Sequence, residues 1–430
     1  MICQNFITYG VSFADNVMVG KLGENAINGL FMASIVQFVL QMMLFGIQSA
    51  MSVLETQYWG KKDIDRIKDV VAISVRGGFY LSLAGAAVTY FFAGPIMTLL
   101  TTSGGAVEEG EKYLRLVSVS YLFFGPALLL VNAMRSVEIV RIGLVNSIAA
   151  LIVNVALNWV FIFGNLGAPK MGVAGAALAT DISRIIEFII VFFFVLRVDR
   201  TVRFKLADFL RKDSLILRDL FKYGTPLMAG QIVWSFNKFM MRYIVGHFSE
   251  SSSAAVSIAE NLDGLLWMGT VGLAAAMGII TGKMIGAGEM DAVRSYARKM
   301  QCVFAGIGVV SFLIAFLGGD IFLSFYTLSP ETVLAARTFL IVLAFSVLGR
   351  AYQAPCLMGL VKAGGDTSFV FLNDTIWVFC WVLPLAFAAW KVFHAPDWVV
   401  YACLLSDQLT KCVVAFIKIN RFRWMKNLTR

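Results

Sequence analysis

The chain has 430 residues, 59% hydrophobic and only 15% charged, with a mean hydropathy of +0.78. A soluble domain carries about 45–50% apolar residues and about 25% charge. Apolar stretches of about 20 residues recur along the whole chain, which makes it an all-α polytopic membrane protein. Strands of an outer-membrane barrel would alternate in polarity, and these runs are continuous, so a barrel is excluded. The net charge of +9 is no nucleic-acid signature, because the basic residues gather in particular loops.

The hydrophobic runs predict twelve transmembrane helices, roughly 1–20, 26–54, 69–93, 113–136, 141–163, 173–196, 220–245, 252–282, 294–325, 333–358, 368–391 and 397–419. Backbone groups cannot stay unpaired in lipid, so each run must be helical. One set of loops holds Lys61, Lys62, Arg66 and Lys68, then Arg141, then Arg197 through Lys222, then Lys283, Lys362 and the tail residues Arg421, Arg423, Lys426 and Arg430. The alternate loops hold little more than Lys21, Lys112, Lys170, Arg337 and Lys391. Lys and Arg accumulate on the cytoplasmic side, so both termini are expected in the cytoplasm, with the protein in the plasma (inner) membrane. The expected organisation is a first lobe over 1–196, a basic cytoplasmic linker over 197–219 and a second lobe over 220–430. The linker is expected to include an amphipathic helix on the membrane surface.

The two halves repeat each other at an offset of 226 residues. Val19, Gly20, Glu24, Ala33 and Leu40 meet Val245, Gly246, Glu250, Ala259 and Leu266; Gly46, Met51, Gly60 and Asp65 meet Gly272, Met277, Gly286 and Asp291. Far downstream, Asp181 still meets Asp407. Transporters are often built as such paired repeats, with the substrate path between the halves. The second half opens with Leu220-Phe221-Lys222-Tyr223-Gly224-Thr225-Pro226, ahead of the point that matches Met1. The first half has no equivalent, so a first helix shortened at its cytoplasmic end is expected.

Buried polar residues concentrate in the first half. Asp15 lies seven residues before the first outer loop, where a carboxylate must face protein or water. Asn158 lies six residues before Gly164, Asn154 is one turn deeper on the same face, and Thr180 lies eight residues past Gly172. At 1.5 Å per residue, all four fall roughly 9–15 Å below the outer surface. One carboxylate, two amides and a hydroxyl at one depth could hold a hard cation such as Na⁺, or Asp15 could accept H⁺. The same groups could equally serve only to join helices one, five and six. In the second half Lys238, Arg242, Glu260, Asp263, Asp407 and Lys411 occur at similar depth, and mutual ion pairs are expected. Arg350, near mid-membrane, needs a partner, and Asp374 is the candidate. The six cysteines, Cys3, Cys302, Cys356, Cys380, Cys403 and Cys412, show no metal or redox spacing, and His247 and His394 have no evident partners. No nucleophile–base or metal constellation argues for an enzyme.

Four motifs carry a family resemblance. Asn158 to Glu187 contains Gly164-Asn165-Leu166-Gly167 and Met171-Gly172-Val173-Ala174-Gly175. Asp15-Asn16-Val17-Met18-Val19-Gly20 ends the first helix, Gln57-Tyr58-Trp59-Gly60-Lys61-Lys62-Asp63 follows the second, and Lys362-Ala363-Gly364-Gly365-Asp366-Thr367 follows the tenth. Together they resemble the MATE family (multidrug and toxic compound extrusion), over essentially the whole chain. The resemblance implies twelve helices in two six-helix repeats around a cleft. It implies export of amphipathic, often cationic drugs or toxic compounds in exchange for Na⁺ or H⁺, with no other cofactor and no nucleic-acid partner, from a monomer in the lipid bilayer. It places Asp15, Asn154, Asn158 and Thr180 at positions tied to ion coupling. Some relatives have a second carboxylate where this chain has Asn158. Others place carboxylates in helices seven and ten, at positions that fall here near Trp234 and Arg350. Gln37, Trp234, Asn237, Glu260, Asp263, Arg350 and Asp407 are the candidate residues of a substrate cleft. A lipid-linked glycan flippase of the same broad superfamily is the alternative; its groove would be rich in Arg, and this chain has few Arg at mid-membrane.

Overall fold

A computed structural model describes Gln4, Ile7, Gly10, Asp15 and residues 18–326 and 329–429. Most of the expected first helix, 1–20, lies outside the described residues, as does the question of its length. Eleven long helices follow: α1 (Glu24–Lys61), α2 (Ile64–Phe91), α3 (Gly104–Ser136), α4 (Arg141–Phe163), α5 (Val173–Phe193), α6 (Ser214–Val245), α7 (Glu250–Gly286), α8 (Met290–Leu317), α9 (Pro330–Val361), α10 (Thr367–Val392) and α11 (Asp397–Asn420). Among the described residues there is no strand, and nine of these helices are long and apolar enough to cross a membrane. The other two, α5 and α6, carry more charge, including Asp181, Arg184 and Glu187 on α5.

Local signals set the helix ends. The Asp63 side chain accepts from the Arg66 N–H at 3.1 Å to open α2, and Ser249 accepts from the Ser252 N–H at 3.3 Å to open α7. Pro330 opens α9, where its missing N–H removes one unsatisfied donor. Gly164 closes α4 at φ 75°, a left-handed conformation that a side chain would strain.

The chain divides into two compact units, one ending at Gly224 and the other beginning at Thr225. The 226-residue offset reappears in their architecture. Helix starts at Glu24, Ile64, Gly104 and Arg141 have counterparts at Glu250, Met290, Pro330 and Thr367. Even a short helix between the third and fourth spans recurs, beginning at Ala93 in one unit and Gly319 in the other. In the first unit α3 is the hub, packed against α1, α2 and α5; in the second its counterpart α9 packs against α7, α8 and α11.

The segment between the lobes is anchored to α2. After a turn in which Asp199 accepts from the Thr201, Val202 and Arg203 N–H groups at 2.9–3.1 Å, Leu206–Leu210 forms a single 3₁₀ helix. Asp208 accepts from Lys68 at 3.0 Å, Arg211 pairs with Asp65 at 3.1 Å, and Asp213 pairs with Arg66. The expected amphipathic helix is replaced by this 3₁₀ helix and by an early start of α6 at Ser214, because Asp208 and Asp213 spend their acceptors on local backbone N–H groups and on α2.

The second unit departs most from regular helix. Wide, π-type turns occupy Pro355–Val361 in α9, and Trp377–Val382 and Ala388–Val392 in α10. Pro384, between the last two, cannot donate to the helical ladder. α11 breaks at Leu405–Ser406, and Ser406 accepts from the Trp381 indole N–H at 3.1 Å.

Candidate functional site

In the first unit α4 presents a polar stripe. Asn146, Ala150, Asn154 and Asn158 recur every fourth residue and all are buried. The Asn158 Nδ2 donates to the Asp15 carboxylate and to Asn154 Oδ1, the latter at 3.1 Å. The Oδ1 of Asn158 is buried and accepts from no donor among the described residues. Three of the four expected ion-coupling residues are therefore in one hydrogen-bonded group. Thr180 is placed differently: its hydroxyl donates to its own helix, to the Ala176 carbonyl at 3.0 Å. Its side chain also lies by Tyr113 of α3, which is near Asp15.

Two further described residues lie near Asp15. Tyr113 is one, and nothing in its sequence context marks it. Arg184 is the other. It pairs with Glu187 at 2.6 Å, stacks 4.8 Å from the Phe124 ring, and its charge also acts on Asp15. Next to them Asp181 accepts from the Ser120 backbone N–H at 3.0 Å, and the Ser183 hydroxyl donates to Ala150 at 3.1 Å, fastening α5 to α3 and to α4. The group thus has a carboxylate, a nearby positive charge and one unused acceptor.

The second unit holds two ionic clusters. Arg350 on α9, 8% exposed, forms a bidentate pair with Asp263 on α7, the Nη1 contact measuring 2.9 Å, and lies 5.1 Å over the Trp267 ring. The partner is therefore Asp263 and not Asp374. The reason is packing: α9 lies against α7, whereas Asp374 on α10 meets Lys411 of α11 at 2.9 Å. Lys411 also pairs with Asp407, one turn earlier, at 2.9 Å, and Gln408 donates to Asp407 at 2.8 Å. Glu260 lies half-buried one turn before Asp263, on the same helix face. Trp234 and Asn237 lie half-buried on α6, and the Asn237 Oδ1 has no hydrogen-bond partner. Gln37 lies half-buried on α1, in the first unit. Among the described residues no cluster of His, Cys, Asp or Glu could hold a metal ion by itself.

The chain resembles known proteins in sequence and in fold. A MOP superfamily transporter from Pyrococcus furiosus superposes with a TM-score of 0.89 at 16% identity, covering 100% of this chain and 95% of that one. An uncharacterized transporter of Bacillus subtilis, YisQ, is 24% identical over 90% of this chain and 87% of its own length. A probable multidrug resistance protein of Bacillus licheniformis, NorM, is 24% identical over 96% of this chain and 91% of its own length. The MatE family model matches residues 1–160 and 226–389, which takes in both units. The chain therefore belongs to the MATE family of multi-pass membrane transporters, and it is a transporter rather than an enzyme.

Proposed function

We propose that this protein is a secondary antiporter that exports amphipathic or cationic small molecules in exchange for Na⁺ or H⁺. Transport proceeds by alternating access, in the plasma membrane, with both termini cytoplasmic. The observation that carries the coupling role is the unused Asn158 Oδ1 beside the Asp15 carboxylate. A buried acceptor without a donor is unfavourable by about 1–3 kcal/mol and calls for a positive partner. A hard cation would take that oxygen together with Asp15, with Asn154 beside them; a proton would instead go onto Asp15 itself. In either case loading neutralises the carboxylate, weakens the hold of Arg184 on it, and changes which packing of the unit is favoured. Coupling follows only if the ion and the substrate prefer different conformations.

In the second unit, the half-buried Glu260 and Asp263 with the buried Arg350 and Asp407 offer charge for a polar substrate wall, with the half-buried Trp234 and Asn237 as further wall residues of that unit; Gln37 is a separate candidate on the first unit. The multidrug resistance relatives support a small organic substrate. The test is drug efflux from reconstituted vesicles. Asp15→Asn removes the charge and keeps the shape, so efflux should fall at least tenfold while the protein stays folded. Full efflux by a folded Asp15→Asn protein would overturn the coupling role.

A further inference from the structure

One acid in the first unit has no part in the group around Asp15. Glu55 is 0% exposed, and neither of its carboxylate oxygens has a hydrogen-bond partner among the described residues. Among the described residues, the Ser136 hydroxyl of α3 interacts with it and is likewise buried with no hydrogen bond of regular geometry. The α1 residues beside it, Met51, Val53 and Leu54, are fully buried and apolar, as are Ile67, Val70 and Val71 at the start of α2.

None of the charged groups on the packed elements forms an ion pair with Glu55 among the described residues. From α2, Arg66 pairs with Asp213, Lys68 with Asp208 and Asp69 with Arg211. From α3, the guanidinium of Arg135 leaves its Nε buried without a partner, yet no carboxylate acts on it. The start of α6 lies against α1 at Ala50 and brings Arg218, Asp219 and Lys222. Among the described residues no cationic side chain is within ion-pair distance of Glu55. A bare carboxylate sealed among apolar side chains would be unfavourable by several kcal/mol, so a neutralising partner has to come from outside the chain.

The carboxylate is no requirement of the scaffold. At the 226-residue offset the second unit has Thr281 for Glu55 and Lys362 for Ser136, and Thr281 is also fully buried and unpaired. The same helix crossing therefore forms without an acid.

We propose that Glu55 is a second proton-binding site of the first unit, separate from Asp15 and near the end of the unit marked by the basic Lys61–Lys62 turn. One hydroxyl beside the acid is too few oxygens to complete the shell of a metal cation, which takes six or more. A proton needs only the carboxylate itself. It enters from water at the Lys61–Lys62 end, bonds to one Glu55 oxygen, and leaves the other free to accept from Ser136. Seven residues separate Glu55 from Lys62, so the proton travels about 10 Å along α1.

The test is infrared spectroscopy of the substrate-free protein in liposomes, reading the carbonyl stretch of a protonated carboxylic acid over a pH series. The wild type should show such a band, Glu55→Gln should lose it, Asp15→Asn should keep it, and Ser136→Ala should shift it by removing the hydroxyl donor. Identical spectra for the wild type and a folded Glu55→Gln protein would overturn the proposal. Should that variant fail to fold, a band unmoved by Ser136→Ala at every pH would do the same. The readout involves neither substrate nor Asp15, so failure here leaves the reading of Asp15 intact.

Discussion

At the scale of single residues, the second unit's buried charges behave as pairs whose halves depend on each other. Arg350 loses its hydration inside α9 and recovers it through two hydrogen bonds to Asp263 and the face of Trp267. Asp263→Leu strands that guanidinium and should destabilise the unit by about 3–5 kcal/mol, whereas Asp263→Leu with Arg350→Met should restore most of the loss. Thermal unfolding in detergent distinguishes the two; equal stability of the single and double variants would refute the pairing. Asp366 lies in the loop after α9 and offers a pH-dependent case. Burial works to raise its pKa, but Lys418 at 2.6 Å and Lys426 at 2.9 Å outweigh that and hold the carboxyl below its ordinary value. A lowered folded value means the stabilisation is present above the unfolded value and lost as pH falls through the folded one. Asp366→Asn should therefore be less stable than wild type by roughly 1 kcal/mol at pH 7, since one lysine is well exposed. The gap should start to close near pH 4, where an unfolded aspartate titrates, and vanish at lower pH. A gap that widens on acidification would contradict this.

At the scale of elements, the two units solve one crossing with different clearances. A Cβ at Gly29 of α1 would lie 2.9 Å from the Ala106 carbonyl oxygen and 2.9 Å from the Gly110 nitrogen of α3, both backbone atoms. At the same offset the second unit carries Ala255 and Ala336, both fully buried, so α7 and α9 cross with a methyl group on each side. Gly29→Val should force α1 off α3 and lower stability by about 1–3 kcal/mol or more, while Ala255→Gly in the equivalent place should act as a small cavity change. Comparing the melting temperatures of the two variants checks it. These clearances also explain why α1 and α3 were legible as helices but their contact was not. Glycine content marks close approach in membrane helices, but only the packed pair shows which glycine meets which backbone. Helix limits were misread where polarity misleads. Gly104 to Lys112 is rich in acid and reads as a loop, yet it is the first two turns of α3, held by Lys112–Glu108 at 2.7 Å and Arg115–Glu111 at 2.7 Å. The breaks at Leu405–Ser406 and around Pro384 sit inside apolar runs that hydropathy treats as continuous.

At the scale of the whole molecule, the duplication is a property of the backbone and the ionic chemistry is not. Helix starts repeat at a constant offset, but Asp15 stands opposite Met241, Glu55 opposite Thr281, and Asp263 opposite Gln37. Asp181 and Asp407 do correspond, and even they differ in use: one accepts from a backbone N–H, the other pairs with Lys411. Asymmetric chemistry predicts asymmetric coupling. In vesicles with sodium and proton gradients imposed one at a time, efflux should follow the gradient of the ion that loads the first unit, and Asp15→Asn should abolish that dependence. Replacing Asp407 by Asn should alter substrate preference or stability and leave the choice of driving ion unchanged; a switch of driving ion would locate coupling in the second unit instead.

The sequence by itself determined the membrane class, the repeat, the family resemblance and the set of Asp15, Asn154 and Asn158, because hydropathy and helical spacing are encoded locally along the chain. It also singled out Arg350 as a charge in need of a partner. Only the tertiary structure decided that the partner is Asp263, that Thr180 turns to its own helix and to Tyr113, and that Glu55 is sealed without a counter-charge. Each of those facts depends on which helices lie side by side and at what height. A Glu seven residues from a basic turn reads as a surface residue until α2 and α3 are packed over it.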